Sequence, residues 1–83
     1  MIYDLEFRPQ AVKDFEALSP DVSRRIVRKI ERMTNGLAGD VKRLTQFTPE
    51  YRLRVGDYRV LFTIVGDRIV VYRVRHRREA YDA

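Results

Sequence analysis

Residues 51–74 read YRLRVGDYRVLFTIVGDRIVVYRV, and this stretch decides the fold. It contains three runs rich in β-branched and aromatic residues that alternate with charged ones, a pattern that predicts strands. The runs cover 51–55, 58–65 and 68–74. Between them lie two identical Gly-Asp dipeptides, at 56–57 and 66–67. Since a two-residue loop that begins with glycine is typical of a tight hairpin, the stretch predicts an antiparallel three-strand meander.

The loop length also predicts the register of the strands. With two-residue loops, Arg54 lies opposite Arg59, and Arg59 in turn lies opposite Val74. Alternation of side chains puts Arg52 on the same face as the opposed arginines. His76 projects to that side if the third strand runs so far. We refer to the sheet face that carries Arg52, Arg54 and Arg59 as the arginine face.

The other face of the meander is apolar, and we expect it to form the core under the helices. Alternation assigns nine residues to it: Tyr51, Leu53, Val55, Tyr58, Val60, Phe62, Ile64, Ile69 and Val71. Arg73 and Arg75 also fall on this face by parity, so we expect their charged ends to reach water at the end of the sheet.

The opposed arginines indicate a binding function. Like charges directly opposite on a sheet are destabilising, so a purely structural sheet favours an acid at position 54 or 59. An anion above the arginine face would offset the repulsion, whereas side chains that spread into water would lessen it without any ligand. We favour the anion site, an argument that a bulge at Gly56 would weaken.

The first half of the chain predicts a strand and two helices. Apolar residues alternate over 3–7, and a short helix with Pro9 in its first turn then runs over 9–18. Ser19 is the expected N-cap of a second helix, which ends at the Asn-Gly pair at 35–36.

The remaining segments complete the expected fold. Residues 37–50 read as a loop in which 41–44 are partly ordered, and 77–83 read as a short helical tail. We therefore expect a single α+β domain over 1–83, in which the N-terminal strand and two helices pack on a mostly antiparallel four-stranded sheet.

Composition excludes several classes of function. The chain has no cysteine and one histidine, which excludes a disulfide framework, an iron–sulfur cluster, a cysteine nucleophile and a multi-histidine metal site within one chain. No stretch has the length and apolar character of a membrane span, and no export signal is visible. We therefore expect a cytoplasmic protein that binds no membrane, metal or small-molecule cofactor.

Charge favours a polyanionic partner. Residues 1–40 carry seven basic and seven acidic groups, whereas residues 41–83 carry ten and five, so the second half holds the whole net charge of +5. Fourteen of the 17 basic residues are arginine, whose guanidinium grips phosphate through two parallel hydrogen bonds. Nucleic acid is the simplest partner for such a surface, and a merely solubilising surface is the alternative.

Two segments resemble the RelE/ParE superfamily of toxins from bacterial and archaeal toxin–antitoxin pairs. Residues 51–60, YRLRVGDYRV, are similar to the basic hairpin of the family, and residues 74–81, VRHRREAY, are similar to its C-terminal ending. The strand–helix–helix beginning also agrees, so the resemblance covers nearly the whole chain. It implies a RelE-like fold and, for RelE-type members, a ribosome-dependent endoribonuclease that cuts mRNA in the ribosomal A site.

The resemblance also implies which residues act and which partners bind. By position, the family's functional residues match Arg52, Arg54, Arg59, Arg77 and Tyr81. Cleavage without a metal uses the neighbouring 2′-hydroxyl as nucleophile, so the arginines would stabilise charge on the phosphate. His76 is the candidate proton carrier, since histidine exchanges protons near neutral pH. A cognate antitoxin with an acidic segment is the expected protein partner.

Two alternatives stay open at this point. A ParE-type toxin has the same fold but blocks DNA gyrase through a protein interface, and it needs no arginine face. A non-catalytic RNA-binding module would use the arginines only for affinity. Two of the candidates also have plainer roles: His76 can simply end the last strand, and Tyr81 can pin the terminal segment to the sheet.

Overall fold

The computed structural model describes residues 2–80, which form two helices and a five-stranded sheet. The strands are β1 (Asp4–Phe7), β2 (Asp40–Arg43), β3 (Tyr51–Val55), β4 (Tyr58–Val65) and β5 (Arg68–His76), and the helices are α1 (Pro9–Glu16) and α2 (Pro20–Met33). The strand order is β1-β5-β4-β3-β2, in which β1 runs parallel to β5 and the other neighbours are antiparallel.

The α+β class is confirmed, and two details of the prediction need correction. The described sheet has five strands rather than four, because Asp40–Arg43 pairs with β3 as an edge strand. Its sequence signal is weak, since Val41 is the one apolar residue among the four; Val41 packs against the core. Residues 77–80 form turns instead of a helix, and the rest of the predicted tail lies outside the described residues.

Both helices begin where the sequence predicts. Pro9 and Pro20 lie in the first turn of their helices, where a missing amide leaves no hydrogen bond unmade. The Ser19 hydroxyl accepts a hydrogen bond from the Val22 amide at 3.4 Å, which confirms Ser19 as the N-cap.

The core lies between the helices and one face of the sheet. Ala11 of α1 and Ile26, Ile30 and Met33 of α2 are completely buried there. All nine sheet residues predicted for this face belong to the core or pack against it, so that prediction is confirmed. Within residues 2–80, neither helix has the length and apolar character needed to cross a bilayer.

The first hairpin, β3–β4, has the predicted register. Arg54 pairs with Arg59 across a two-residue loop. The loop glycines Gly56 and Gly66 have φ angles of 57° and 60°. A positive φ at the first loop position alone is the pattern of a type II′ turn, which glycine adopts without strain.

The second hairpin, β4–β5, departs from the prediction because Tyr72 is an extra residue in β5. Phe62 pairs with Val71, but its neighbour Leu61 pairs with Arg73, so the ladder contains a β-bulge. Beyond the bulge, the side chains of β5 lie on the opposite face from the one that strict alternation assigns.

The bulge overturns one predicted cross-strand pair and the predicted sides of Arg73, Arg75 and His76. Arg59 pairs with Arg75, not with Val74. Arg73 and Arg75 therefore leave the core face for the arginine face, and Val74 joins the core. The prediction that His76 projects to the arginine face is wrong for the same reason.

Candidate nucleic-acid interface

Three arginines on three adjacent strands form a line across the arginine face. Arg54 of β3, Arg59 of β4 and Arg75 of β5 are direct cross-strand partners. We refer to these three as the arginine row. Cβ atoms of directly opposed residues lie about 4.5–5.5 Å apart, so neighbouring guanidinium groups of the row are within reach of one phosphate. Asp40 of the edge strand β2 ends the line, opposite Arg54.

The members of the arginine row use only part of their hydrogen-bonding capacity within residues 2–80. Nη1 of Arg59 donates to two main-chain carbonyls of its own turn, at 2.9 and 3.0 Å. Nη2 of Arg75 lies 3.5 Å from a carboxylate oxygen of Glu79, which is an exposed pair. Arg54 is exposed and has no ion-pair partner among residues 2–80. Because each guanidinium has five N–H donors, the row keeps donors available for a ligand.

A second line crosses the same face beside the arginine row. Its members, in strand order, are Lys42, Arg52, Leu61 and Arg73. Nη1 of Arg52 donates to the carbonyl oxygen of Asp40 at 2.8 Å and to its Oδ1 at 3.0 Å. Leu61 is buried, although it lies on the face away from the helices. Arg52 and Arg73 therefore lie on the two strands that flank a buried apolar side chain.

The arginines around Asp40 favour the charged form of its carboxylate. The hydrogen bond from Arg52 is the largest cause that lowers the pKa of Asp40, and desolvation opposes it. The positive charges of Arg52, Arg54 and Arg59 lower the pKa further. This carboxylate therefore stays negative at any pH at which the protein is expected to work.

Arg73 bends away from the face to Asp14 of α1. Nε and Nη2 of Arg73 donate to the Asp14 carboxylate at 2.9 and 3.3 Å, and the Val74 amide donates to the same carboxylate at 2.9 Å. Since β1 pairs with β5 only as far as Val71, Asp14 satisfies an amide on the uncovered edge. The pair thus holds β5 just after the bulge, in the register that brings Arg75 to the arginine row.

The Asp14–Arg73 pair shifts both titrations. Burial raises the pKa of Asp14, but the hydrogen bonds from Arg73 and the Val74 amide, with the Arg73 charge, lower it more, so the net pKa is below the usual value. The hydrogen bond from Arg73 to Asp14 in turn raises the pKa of Arg73. The pair is therefore ionised at neutral pH.

His76 lies at the end of β5, beside the arginine face rather than on it. Its ring meets the Tyr58 ring edge to face, with centroids 5.6 Å apart. Nδ1 accepts a hydrogen bond from the Arg78 amide at 3.3 Å, an arrangement that assigns the proton of the neutral ring to Nε2. His76 also lines a cavity of about 240 Å³ together with Arg75 and Glu79. His76 and Arg75 therefore line the same cavity, although their side chains leave β5 on opposite faces of the sheet.

Arg77 lies at the same turn as Arg59. Its amide donates to the Asp57 carbonyl at 2.7 Å, and its Nε lies 3.9 Å from Asp57 Oδ1. The structure thus brings Arg77 close to the first loop, as a site shared with Arg59 requires. Tyr81, the remaining candidate, lies outside the described residues.

Sequence reasoning missed two parts of this surface. Arg75 was assigned to the core face, since a bulge at Tyr72 has no local signal in the sequence. A basic cleft of about 390 Å³ beside β2 was also missed, because its strand was read as a loop. The cleft is lined by Lys42, Arg43, Leu44, Thr45, Phe47 and Arg52. The adjacent Lys-Arg pair at 42–43 was the one available signal.

Comparison with known proteins gives one family and consistent relatives. The family described as the ParE toxin of the type II toxin–antitoxin system, parDE, matches residues 5–81. Toxin RelE3 of Methanocaldococcus jannaschii is 35% identical over 81 residues, which cover 92% of each chain. The putative toxin RelE1 of the same organism is 32% identical and covers 95% of this chain and 93% of its own.

Solved structures agree with these relatives. The toxin–antitoxin complex RelB-RelE from Methanococcus jannaschii contains a chain that is 33% identical, with a TM-score of 0.75 and coverage of 93% of this chain and 95% of that chain. A chain of the RelBE2 complex from Mycobacterium tuberculosis has a TM-score of 0.79 at 24% identity, with coverage of 93% and 100%. A chain of the chromosomal ParDE system from P. aeruginosa has a TM-score of 0.68 at 16% identity, with coverage of 90% and 96%. The last two similarities concern the fold alone.

Proposed function

The chain belongs to the RelE/ParE superfamily of toxins from type II toxin–antitoxin systems, and we propose that it is a ribosome-dependent mRNA endoribonuclease. The observation that carries the proposal is the arginine row, in which Arg54, Arg59 and Arg75 lie side by side on adjacent strands. Directly opposed cations are unfavourable in a purely structural sheet, and Asp40 lies beside only Arg54 of the row, so the Arg54–Arg59 and Arg59–Arg75 pairs place arginine against arginine. They are favourable where a phosphodiester lies across the strands.

The proposed reaction is attack of the 2′-hydroxyl on the adjacent phosphate. The bond from phosphorus to the 5′-oxygen breaks, which yields a 2′,3′-cyclic phosphate and a free 5′-hydroxyl. Negative charge accumulates on the non-bridging oxygens in the transition state, and fixed N–H donors stabilise that charge. We assign Arg52, Arg54 and Arg59 to this task on the arginine face, with Arg77 at the neighbouring turn.

Arg75 joins these residues by virtue of the bulge. Its place opposite Arg59 makes it the third arginine of the row. Strict alternation would have assigned it to the core face. Its contact with Glu79 is long, at 3.5 Å, and Glu79 is mostly exposed, so a phosphate oxygen can replace that partner. We therefore extend the proposed phosphate-binding set to Arg75.

Proton transfer is assigned to His76. Arginine stays protonated at physiological pH, so the arginines are poor bases. With Nδ1 accepting from the Arg78 amide, Nε2 of the neutral ring carries the proton. His76 acts as an acid only as the imidazolium, in which Nδ1 releases that amide and Nε2 passes a proton to the leaving 5′-oxygen, while the proton of the 2′-hydroxyl passes to water. We propose that the RNA backbone passes over the end of β5, where His76 and Arg75 line one cavity. Tyr81 is proposed to stack on a base or to orient the 2′-hydroxyl.

The ribosome is proposed to supply the positioning that this site lacks. A single histidine among arginines makes a weak acid–base system, and in-line attack requires the 2′-hydroxyl, phosphorus and 5′-oxygen to be aligned. A message held in the A site has much of that alignment in advance, which removes an entropic cost from the reaction. Ribosome-bound mRNA is therefore the proposed substrate, and the cytoplasm the proposed site of action.

A cognate antitoxin is the proposed protein partner. The solved relative from Methanococcus jannaschii is a complex of RelE with RelB. The arginine face offers a basic surface to an acidic segment, which would fold on it and block access of RNA.

The second candidate function is inhibition of DNA gyrase. It is favoured by the family match, whose description names the ParE toxin. Such an inhibitor acts through a protein interface, so the arginine row would have no chemical task. Loss of the row would then leave inhibition largely intact.

The deciding experiment adds the purified protein to ribosomes stalled on a defined message and maps new RNA ends. The proposal predicts cleavage in the A site, which Arg59→Ala and Arg77→Ala abolish. The matched control is Arg28→Ala, which removes an exposed arginine of α2 away from the sheet. A parallel supercoiling assay with DNA gyrase completes the test. Intact message together with inhibited gyrase would overturn the proposal in favour of the second candidate.

A further inference from the structure

Asp40 is a carboxylate on the edge strand β2, at the end of the arginine row. It pairs in register with Arg54, and Arg52 donates to its carboxylate at 3.0 Å and to its carbonyl at 2.8 Å. The Arg52 side chain is only 15% exposed, whereas the Asp40 side chain is 53% exposed. The arginine is therefore packed in place, and the carboxylate is the partner that can move away.

The Asp40 carboxylate lies where an oxygen of an RNA phosphate would meet Arg52. Carboxylate and phosphate oxygens accept the same charge-assisted hydrogen bonds from a guanidinium. Nη1 of Arg52 already donates to the carboxylate and to the carbonyl of Asp40, so a phosphate oxygen can take the place of the carboxylate on Nη1 only when the carboxylate leaves. The neighbouring charges of Arg54 and Arg59 also act on Asp40 and keep it ionised.

We propose that Asp40 is an internal counter-ion that occupies Arg52 in the free protein and competes with RNA phosphate for it. This inference rests on the proposed function, because it assumes that RNA binds on the arginine face. Asp40 touches no reacting atom; it sets how tightly the face binds a polyanion. The arrangement limits binding to stray RNA and reserves tight binding for a strand that engages the whole arginine row at once.

The inference predicts a specific change in affinity. Asp40→Asn is isosteric and removes only the charge, so the side-chain hydrogen bond to Arg52 weakens and a phosphate oxygen displaces it more easily, while the bond from Arg52 to the carbonyl of residue 40 remains. We expect the variant to bind single-stranded RNA about three- to tenfold more tightly at moderate salt. We also expect the slope of log affinity against log salt to steepen by about 0.7, since one more phosphate is neutralised by the protein.

The test measures fluorescence anisotropy of a labelled 2′-O-methyl RNA oligonucleotide, whose blocked nucleophile prevents cleavage. The matched control is Asp21→Asn, because Asp21 also pairs with an arginine, Arg24, but lies on α2. Both variants gain one unit of positive charge. A gain for Asp40→Asn that exceeds the gain for Asp21→Asn supports the inference, and equal gains overturn it.

A second background separates the local effect from net charge. In the Arg52→Gln background, Asp40 no longer has the arginine that it pairs with. Adding Asp40→Asn to this background should therefore raise the affinity for the oligonucleotide by no more than Asp21→Asn does. An undiminished gain in that background would overturn the inference. If the wild-type protein and the variants all fail to bind the oligonucleotide, the proposed function and the inference fall together. If the wild type binds and Asp40→Asn changes nothing, only the inference falls.

Discussion

The β3–β4 and β4–β5 hairpins have the same Gly-Asp loop and nearly the same glycine φ, but only the first keeps a regular ladder. Near each loop the pairing is the one that a two-residue turn dictates. In the second hairpin, the register changes after the fourth pair from the loop, at the Tyr72 bulge. The turn therefore fixes the register of nearby residues, and some other contact fixes it farther along the strand.

That other contact comes from α1. Asp14 binds the Arg73 side chain and the Val74 amide, directly after the bulge, and it lies 60 residues from Val74 in the chain. β3 has a regular strand on its outer side at the same level, where Val41 pairs with Leu53. β3, whose outer edge pairs with β2, thus stays regular. β5, whose outer edge at this level is bound by the Asp14 carboxylate, accommodates an extra residue. The comparison explains why the second hairpin, and not the first, moves an arginine into the row.

The largest expected effect comes from the strand that both hairpins share. Arg59 of β4 pairs with Arg54 in one hairpin and with Arg75 in the other. We expect Arg59→Ala to slow cleavage of ribosome-bound message by about 10²–10³-fold, because a donor to the phosphate charge is lost. The measurement is the single-turnover rate, with circular dichroism to verify the fold. A rate within a fewfold of the wild-type rate would show that the arginine row does not take part in cleavage.

Asp14→Ala breaks the contact that distinguishes the second hairpin. It leaves the Val74 amide and the Arg73 guanidinium without their partner, so we expect a loss of about 1–3 kcal/mol in the free energy of unfolding. Urea denaturation measures the loss, and cross-strand NOEs between Val60 and Val74 report the register. An unchanged midpoint with intact NOEs would show that the bulge needs no support from α1.

The same contact predicts a dependence on pH. Because the folded-state pKa of Asp14 is below its usual value of 3.8, the ionised carboxylate stabilises the fold at neutral pH. The stabilisation is fully present above the unfolded-state pKa and is lost as pH falls through the lower, folded-state pKa. The stability difference between wild type and Asp14→Asn should therefore shrink below about pH 4. A difference that stays constant down to pH 2 would show that the charge of Asp14 contributes nothing.

The smallest expected effect compares the two loop glycines. Gly56→Ala and Gly66→Ala each place a Cβ at positive φ, which costs about 1 kcal/mol. A Cβ at Gly56 would also lie 2.9 Å from Nη2 of Arg25, whereas a Cβ at Gly66 would meet no atom within 4 Å. Since Arg25 is flexible, we expect Gly56→Ala to be only slightly the more destabilising in urea denaturation. The reverse order would show that the loops differ in a way their conformations do not reveal.

Local signals predicted most of the fold. The Gly-Asp loops gave the Arg54–Arg59 pairing, the Ser-Pro pair at 19–20 gave the start of α2, and alternation gave the core face. These features depend on residues within a few positions of one another. Strand β2 was not predicted, because four residues with one apolar side chain resemble a loop. Their extended conformation depends on pairing with β3.

The site was predictable only where the ladder is regular. Arg52, Arg54 and Arg59 lie where alternation places them, but the faces of Arg75 and His76 depend on the bulge. Asp14 contacts β5 directly after the bulge, and nothing in the local sequence around Tyr72 encodes that contact. A one-residue slip exchanges the two faces of a strand, so one extra residue in β5 changes the faces of both candidate residues.

The central claim is that the three arginines of the row bind one RNA strand. It is tested most directly by following the Nε–Hε signals of the arginines in ¹⁵N NMR spectra during titration with the 2′-O-methyl oligonucleotide. We expect the signals of Arg54, Arg59 and Arg75 to shift together with a single Kd, while those of Arg24 and Arg28 on α2 stay in place. Shifts confined to the α2 arginines, or separate Kd values within the row, would contradict it.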